Sequence, residues 1–322
     1  MAKSRALEDT LAALGELRHG PVTDQTITTL RQALRAKVSH VVAKAAQVSG
    51  ELLVRALLAD LAAAFERFLT TPVKTDPGCY AKVAIARALY EIGEDPGSVF
   101  LHGVRHRQLE PVFGGREDTA PELRAVCALG LVRVAHPEAM IELADLLADP
   151  EATARIGAAR ALAYADDVAC EPLLRLKALV GDADPGVVSE CLAALLSLAG
   201  SRALDFVGRF LDHPDSIVQE AAAVALGGSR LGDALPILRA WRERTLETDL
   251  RRSALFAIAM LRHDDAIAFL VSVVTDAPGP DARDALAALG TYRHDEALRA
   301  RVGSAVEQRT DVDLRAVFAK SF

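Results

Sequence analysis

Sulfur and aromatic side chains are scarce in this 322-residue chain, which has four cysteines, three methionines, one tryptophan and only 5% aromatics. Cys79, Cys127, Cys170 and Cys191 stand tens of residues apart without a Cys-x-x-Cys pair, which excludes a zinc ribbon and a dithiol redox site. Nowhere do about 18 uncharged apolar residues follow one another, so no membrane-spanning helix is expected. The opening residues turn acidic at Glu8 and Asp9 before any apolar run develops, and no secretory leader is expected either. A reduced, cytoplasmic setting follows as the expectation. A basic surplus is also missing: the formal net charge is −7, against the positive field with which proteins neutralise phosphates. Phosphate-loop, nucleophile-elbow and dinucleotide-turn motifs are absent, so conventional nucleotide and acyl-transfer chemistry is not expected.

Against these absences stands one recurring signal. The pair Ala-Leu, or Ala-Ile, returns at Ala88-Leu89, Ala128-Leu129, Ala161-Leu162, Ala194-Leu195, Ala225-Leu226, Ala257-Ile258 and Ala288-Leu289. From Leu129 the steps are 33, 33, 31, 32 and 31 residues, a period that marks a repeat array. Ala139 to Asp166 shows the unit. Ile141, Leu143 and Leu147 recur at helical spacing, Asp149-Pro150 stops that helix, and Ala152 to Tyr164 forms a second one with Ile156, Ala158, Ala161 and Leu162 along one stripe. Three positions before each recurring Ala stand Ile85, Ala125, Ala158, Cys191, Ala222, Ala254 and Ala285. Small residues one turn apart let neighbouring helices approach closely. The expected fold is an all-α, right-handed α-solenoid of stacked antiparallel hairpins, one elongated domain over 1–322.

Within it, residues 1–118 read as longer, irregular units, 119–310 as regular repeats of about 32 residues, and 311–322 as a carboxyl-terminal cap. Charge divides similarly: residues 1–118 hold 15 Lys+Arg against 14 Asp+Glu, whereas 119–322 hold 22 against 30. Helices are predicted over Thr23 to Arg35, Lys37 to Val48, Leu52 to Leu69 and Tyr80 to Ile92. The surplus residues collect in two loops, Thr70 to Cys79 and His102 to Thr119. In repeat arrays such departures mark the binding face.

The stretch Asp149-Pro150 through Arg155 to Ala161-Leu162 follows a D-P-x-x-x-[VA]-R-x-x-A-x-x-A-L pattern and resembles the HEAT-like repeats, in the short form of phycobilisome-lyase-type and many bacterial proteins. The resemblance covers roughly Lys74 to Arg309. It implies the architecture, while such arrays host scaffolds, adaptors, lyase subunits, a DNA glycosylase and an iron hydroxylase. The di-iron hydroxylases carry His-Glu dipeptides, and none occurs here. The glycosylases need a basic groove with aromatics; the only tryptophan, Trp241, sits in an outer helix beside Arg239, Arg242 and Arg244.

His102 and His106 stand four apart, as metal-binding histidines on one helix do, but no spacing selects further ligands. The reading we carry forward is a non-catalytic scaffold that holds a protein partner on its concave face, with no cofactor, metal or membrane contact. The alternative is an enzyme or enzyme-accessory subunit, of lyase or metal-dependent type, with nucleic-acid binding the less favoured reading. Aligning the inner helices on their Ala-Leu pairs puts Lys82, Arg87, Arg124, Arg155 and Arg160 on three successive rungs, followed by Glu190 and Glu220. With His106, Arg107 and Phe113 from the neighbouring loop, these are the expected contacts for an acidic peptide or helix. The competing possibility is that each Arg pairs with an acid of its own repeat.

Overall fold

The computed structural model describes residues 2–95, 98–310 and 312–322, and its contacts group into two compact units, Met1–Cys170 and Glu171–Phe322. Asp311, the expected start of the cap, lies outside the described residues. Both units follow the all-α solenoid plan. In the first, α1 (Ala2–Glu16) precedes the outer/inner hairpin α2 (Asp24–Leu34) and α3 (Ser39–Glu51). A second hairpin pairs α4 (Leu58–Leu69) with α6 (Tyr80–Ile92) across the short α5 (Pro72–Thr75). Then α7 (Val99–Val104) leads into a two-stranded antiparallel hairpin, β1 (Leu109–Val112) and β2 (Gly115–Asp118), before α8 (Pro121–Arg133), α9 (Ala139–Leu146) and α10 (Ala152–Tyr164).

The second unit repeats the outer/inner pairing as α11 (Glu171–Val180) with α12 (Pro185–Ala199), α13 (Leu204–Gly208) with α14 (Ser216–Gly228), and α15 (Ala234–Arg244) with α16 (Thr248–Met260). It closes with α17 (Asp264–Asp276) and α18 (Gly279–Leu289), then α19 (Glu296–Glu307) and α20 (Val312–Ser321). Pro185–Asp212 is apolar enough in composition to cross a membrane. The chain breaks at Gly200, however, where φ is +55°, and Val187, Cys191, Leu195, Phe206 and Leu211 along it are buried in the core.

Local chemistry accounts for the boundaries. Thr23 caps α2, exchanging side-chain and backbone bonds with Thr26. Asp184, Asp215 and Asp295 each accept an N–H from the first turn of α12, α14 and α19, as a helix start requires. The predicted helix from Leu52 begins only at Leu58, because Leu53 adopts a left-handed φ of +50° and turns the chain. Residues 109–118, expected as an irregular loop, pair as strands around Gly114, whose φ of +90° suits the two-residue turn.

Inner helices approach closely through small side chains. A Cβ on Gly50 of α3 would stand 2.8 Å from the Cα of Ala88 in α6, and Gly157 of α10 faces Ala125 of α8 in the same way. One register differs from the sequence-based alignment. In α8 the buried pair is Gly130-Leu131, whereas Leu129 is only half-buried, because Gly130 accepts the Phe100 ring where any Cβ would collide. The spacing is therefore 42 residues from Leu89 to Leu131 and 31 onward to Leu162, so the short regular period begins at α8.

The same constraint predicts a steep cost at α14. A side chain on Gly227 would run into the Ala257 backbone of α16, which cannot move without moving the helix, whereas Gly228 faces only the flexible end of Met260. Gly227→Val is expected to destabilise the protein by about 1–3 kcal/mol or more in urea unfolding, with Gly228→Ala close to neutral.

Candidate functional site

Three buried carboxylates sit at the mouths of successive inner helices and engage Lys82 and Arg124 of the expected basic ladder. Asp76 accepts the N–H groups of Ala81 and Lys82 at 2.9 and 3.1 Å and the Lys82 ammonium at 2.9 Å, both side chains having 0% exposure. Asp118 accepts the N–H groups of Gln108 and Ala120 at 3.0 Å and Arg124 at 2.8 Å. The other end of the buried Arg124 guanidinium donates to Asp149 at 2.9 Å. Arg107 reaches Asp149 from outside at 3.1 Å, and Arg155 donates to the carbonyls of Asp149 and Pro150 at 2.7 Å. Lys82 and Arg124 were expected on the concave surface and are instead interior: as the third and fourth residues of α6 and α8, they face the turn carboxylates rather than solvent. Arg155, half-buried, closes a turn. Arg87 and Arg160 are exposed.

The β-hairpin is anchored on this network. Glu110 accepts bonds of 2.7 Å from the Gly78 N–H, the Gln108 amide and the Thr119 hydroxyl. Gln108, itself buried, also donates to the Asp76 carbonyl at 2.8 Å. Burial pulls both the Glu110 and Asp118 carboxyls upward, but hydrogen bonds outweigh it and hold each below its ordinary pKa. For Glu110 these come from Gln108, Thr119 and Gly78; for Asp118 from Gln108, Ala120 and Arg124. Phe113 projects from the tip fully into solvent, with Leu109 and Val112 exposed beneath it. His106 is half-buried 3.3 Å from Gln108, and desolvation lowers its pKa. His102 meets Glu66 at 2.8 Å, so the two imidazoles serve different partners.

Beside the hairpin lies an open groove of about 1260 Å³ on the inner face of the amino-terminal unit. Its floor is small and apolar, Ala43 of α3 with Val83, Ala84 and Ala88 of α6, and its near wall is Leu11, Ala12 and Gly15 of α1. Charges of both signs fence it: Arg87 pairs with Glu122, and Arg18 stands 4.0 Å from Glu51. Tyr80, exposed, packs its ring 5.4 Å from His40. The base of the hairpin borders the groove, because Gly78, held by Glu110, and Glu122, four residues past β2 at the start of α8, both line it. Of the expected contacts, Arg87 lies in the groove, and Phe113 stands at the tip of the hairpin whose base borders it. Sequence reasoning missed the α1 wall and Tyr80, since nothing in their spacing distinguishes them from ordinary helix termini. All four cysteines are buried, and desolvation pushes the thiols of Cys79 and Cys191 up to about 12.

Removing one member of the interior network leaves an uncompensated charge. Lys82→Ala is expected to cost about 3–5 kcal/mol, read by chemical denaturation, with Arg87→Ala as the near-neutral surface control. Because folding depresses the Glu110 and Asp118 pKa values, their contribution is complete at neutral pH and is lost as pH falls through the carboxylate range, about 4 and below. A Glu110→Gln, Asp118→Asn variant should be less stable at pH 7 and converge with the wild type in acid; parallel stability–pH curves would contradict this.

Residues 172–259 match the family model for HEAT repeats, and residues 250–276 match that for the PBS lyase HEAT-like repeat. No curated protein matches the sequence. A solved complex of CpcE and CpcF of phycocyanin lyase from Nostoc sp. PCC7120 is similar over 89% of this chain and 95% of that one, at 19% identity and a TM-score of 0.35, too low for the likeness to bear on function. With matched repeats over 172–276 and the same stacked hairpins through both units, the chain is a HEAT-like repeat protein.

Proposed function

We propose that this protein is a non-catalytic interaction scaffold that holds a segment of a partner protein in the inner-face groove of its amino-terminal unit, with the β-hairpin as a rim contact. The observation that carries the reading is the groove itself: open, about 1260 Å³, floored by small apolar residues and fenced by polar ones. The exposed side chains on this face are of the kinds that dominate protein interfaces, Tyr and Arg above all. Tyr80 and Arg87 stand within the groove and Phe113 at the tip of the neighbouring hairpin, and further along the same row of helices Arg133 lies 4.9 Å from the Tyr90 ring and 3.4 Å from the Tyr164 hydroxyl. Arg107 and Arg160 extend the surface, with His106 behind the hairpin. Lys82, Arg124 and Arg155 belong to the supporting network. The fence carries Glu16, Glu51, Glu91 and Glu122 beside Arg18, Lys44 and Arg87, so a partner of mixed charge suits it better than an acidic one. Action in the cytoplasm goes with this reading.

Two variants test it. Tyr80→Ala with Arg87→Glu, which gives up the His40 contact and a surface ion pair, and separately Phe113→Ser should melt within a few degrees of the wild type. Each is expected to lower capture of the partner at least about tenfold, the loss usual for an interface hot spot. Unchanged capture by both folded variants would overturn the groove as the binding surface.

A further inference from the structure

The inner face of the carboxyl-terminal unit has a different composition. In α12, α14, α16 and α18 the buried pairs Ala194-Leu195, Ala225-Leu226, Ala257-Ile258 and Ala288-Leu289 fix a common register. The residue before each pair is Ala193, Val224, Phe256 and Ala287, and all four are exposed, Phe256 by 47%. One turn on, Gly228 and Met260 continue the uncharged strip, and a cleft of about 350 Å³ opens between these rungs. Five residues after each recurring Ala, the last three rungs carry Arg230, Arg262 and Arg293, all exposed.

This arginine row is not consumed internally. Arg230 and Arg262 make no ion pair among the described residues, in contrast to Arg242, Arg251 and Arg252, which meet Asp281, Asp281 and Asp284. Among the described residues, the Arg293 side chain donates to His294, at 3.2 Å. The row is also held in place. His263 bonds the Arg230 carbonyl across the rungs, and the Tyr292 hydroxyl donates to the Ala259 carbonyl. Tyr292 lies close enough to Arg262 and Arg230 for both to oppose the rise in its pKa that burial causes. Along the opposite edge, five residues before each recurring Ala, stand Ser189, Glu220, Arg252 and Arg283; Glu220 accepts from Ser253 at 3.1 Å, and the two arginines meet Asp284 and Asp313.

We propose that this face is a second docking surface and that its occupant is an amphipathic helix of a partner protein, its apolar side on the strip from Ala193 to Ala287 and a row of carboxylates against Arg230, Arg262 and Arg293. Four rungs about 8–10 Å apart span roughly 30 Å, the length of a helix of about 20 residues. Charge complementarity sets the orientation, because the arginines of the opposite edge, Arg252 and Arg283, already meet Asp284 and Asp313. A nucleic acid backbone would satisfy the arginines but leave the adjoining apolar strip unmatched, whereas an amphipathic helix uses both.

The test uses the full chain and designed helical peptides sharing one leucine stripe, with either glutamates or lysines along one edge, followed by fluorescence anisotropy. The glutamate-edged peptide should bind at least about tenfold tighter than the lysine-edged one. Arg230→Glu with Arg262→Glu should invert that preference, and Phe256→Ser should weaken both peptides. The Tyr80→Ala, Arg87→Glu variant should bind the glutamate-edged peptide normally, which separates this surface from the amino-terminal groove. Absence of binding, equal binding of the two peptides, or an oligonucleotide bound as tightly with no effect of Phe256→Ser would overturn the proposal.

Discussion

A charge buried between stacked helices must find its counter-charge there, and in the amino-terminal unit that requirement organises everything around it. Desolvating a carboxylate without a partner costs several kcal/mol, so Asp76, Asp118 and Asp149 fix where Lys82 and Arg124 must be. Arg124 bridges Asp118, just ahead of its own helix, to Asp149 of the following repeat, and so sets the spacing of two rungs. Hydrophobic packing of alanines alone would tolerate small slips along the helix axis. A two-ended guanidinium does not, because its donors are fixed in a planar fork.

The hairpin follows from the same network. A two-stranded ribbon is marginal in water, and its apolar residues Leu109, Val112 and Phe113 face outward rather than into a core. Its stability comes from the base, where Glu110, Gln108 and Asp118 tie both strands to the Gly78 turn and to the start of α8. The tip thereby becomes available for contact while the base stays rigid, the usual division between scaffold and functional loop.

The helical period was legible in the sequence because close packing demands small residues at fixed intervals, and the break between α9 and α10 was legible from Asp149-Pro150. The boundaries of α6 were read to the residue, and Arg87 and Phe113 were read as surface groups. Lys82 and Arg124 were misplaced for a physical reason: a basic residue near a helix start looks alike whether it faces solvent or a carboxylate in the preceding turn, and only the turn's path separates the two. The strands were hidden because their pattern is short and unalternating, and the register of α8 because Gly130, filled by Phe100, replaces the alanine that marks other rungs.

Once the interior is accounted for, each inner helix keeps few positions that packing does not dictate. The residue before the buried pair is the clearest of them. It reads Gln47, Arg87, Leu129 and Arg160 along α3, α6, α8 and α10, and Ala193, Val224, Phe256 and Ala287 along α12, α14, α16 and α18. Packing constrains these side chains least, so their chemistry reports what the surface meets: a row carrying two arginines in one unit and an uncharged one in the other. A repeat fold confines sequence freedom to such rows, and two rows of different character within one chain imply two surfaces made for different contacts.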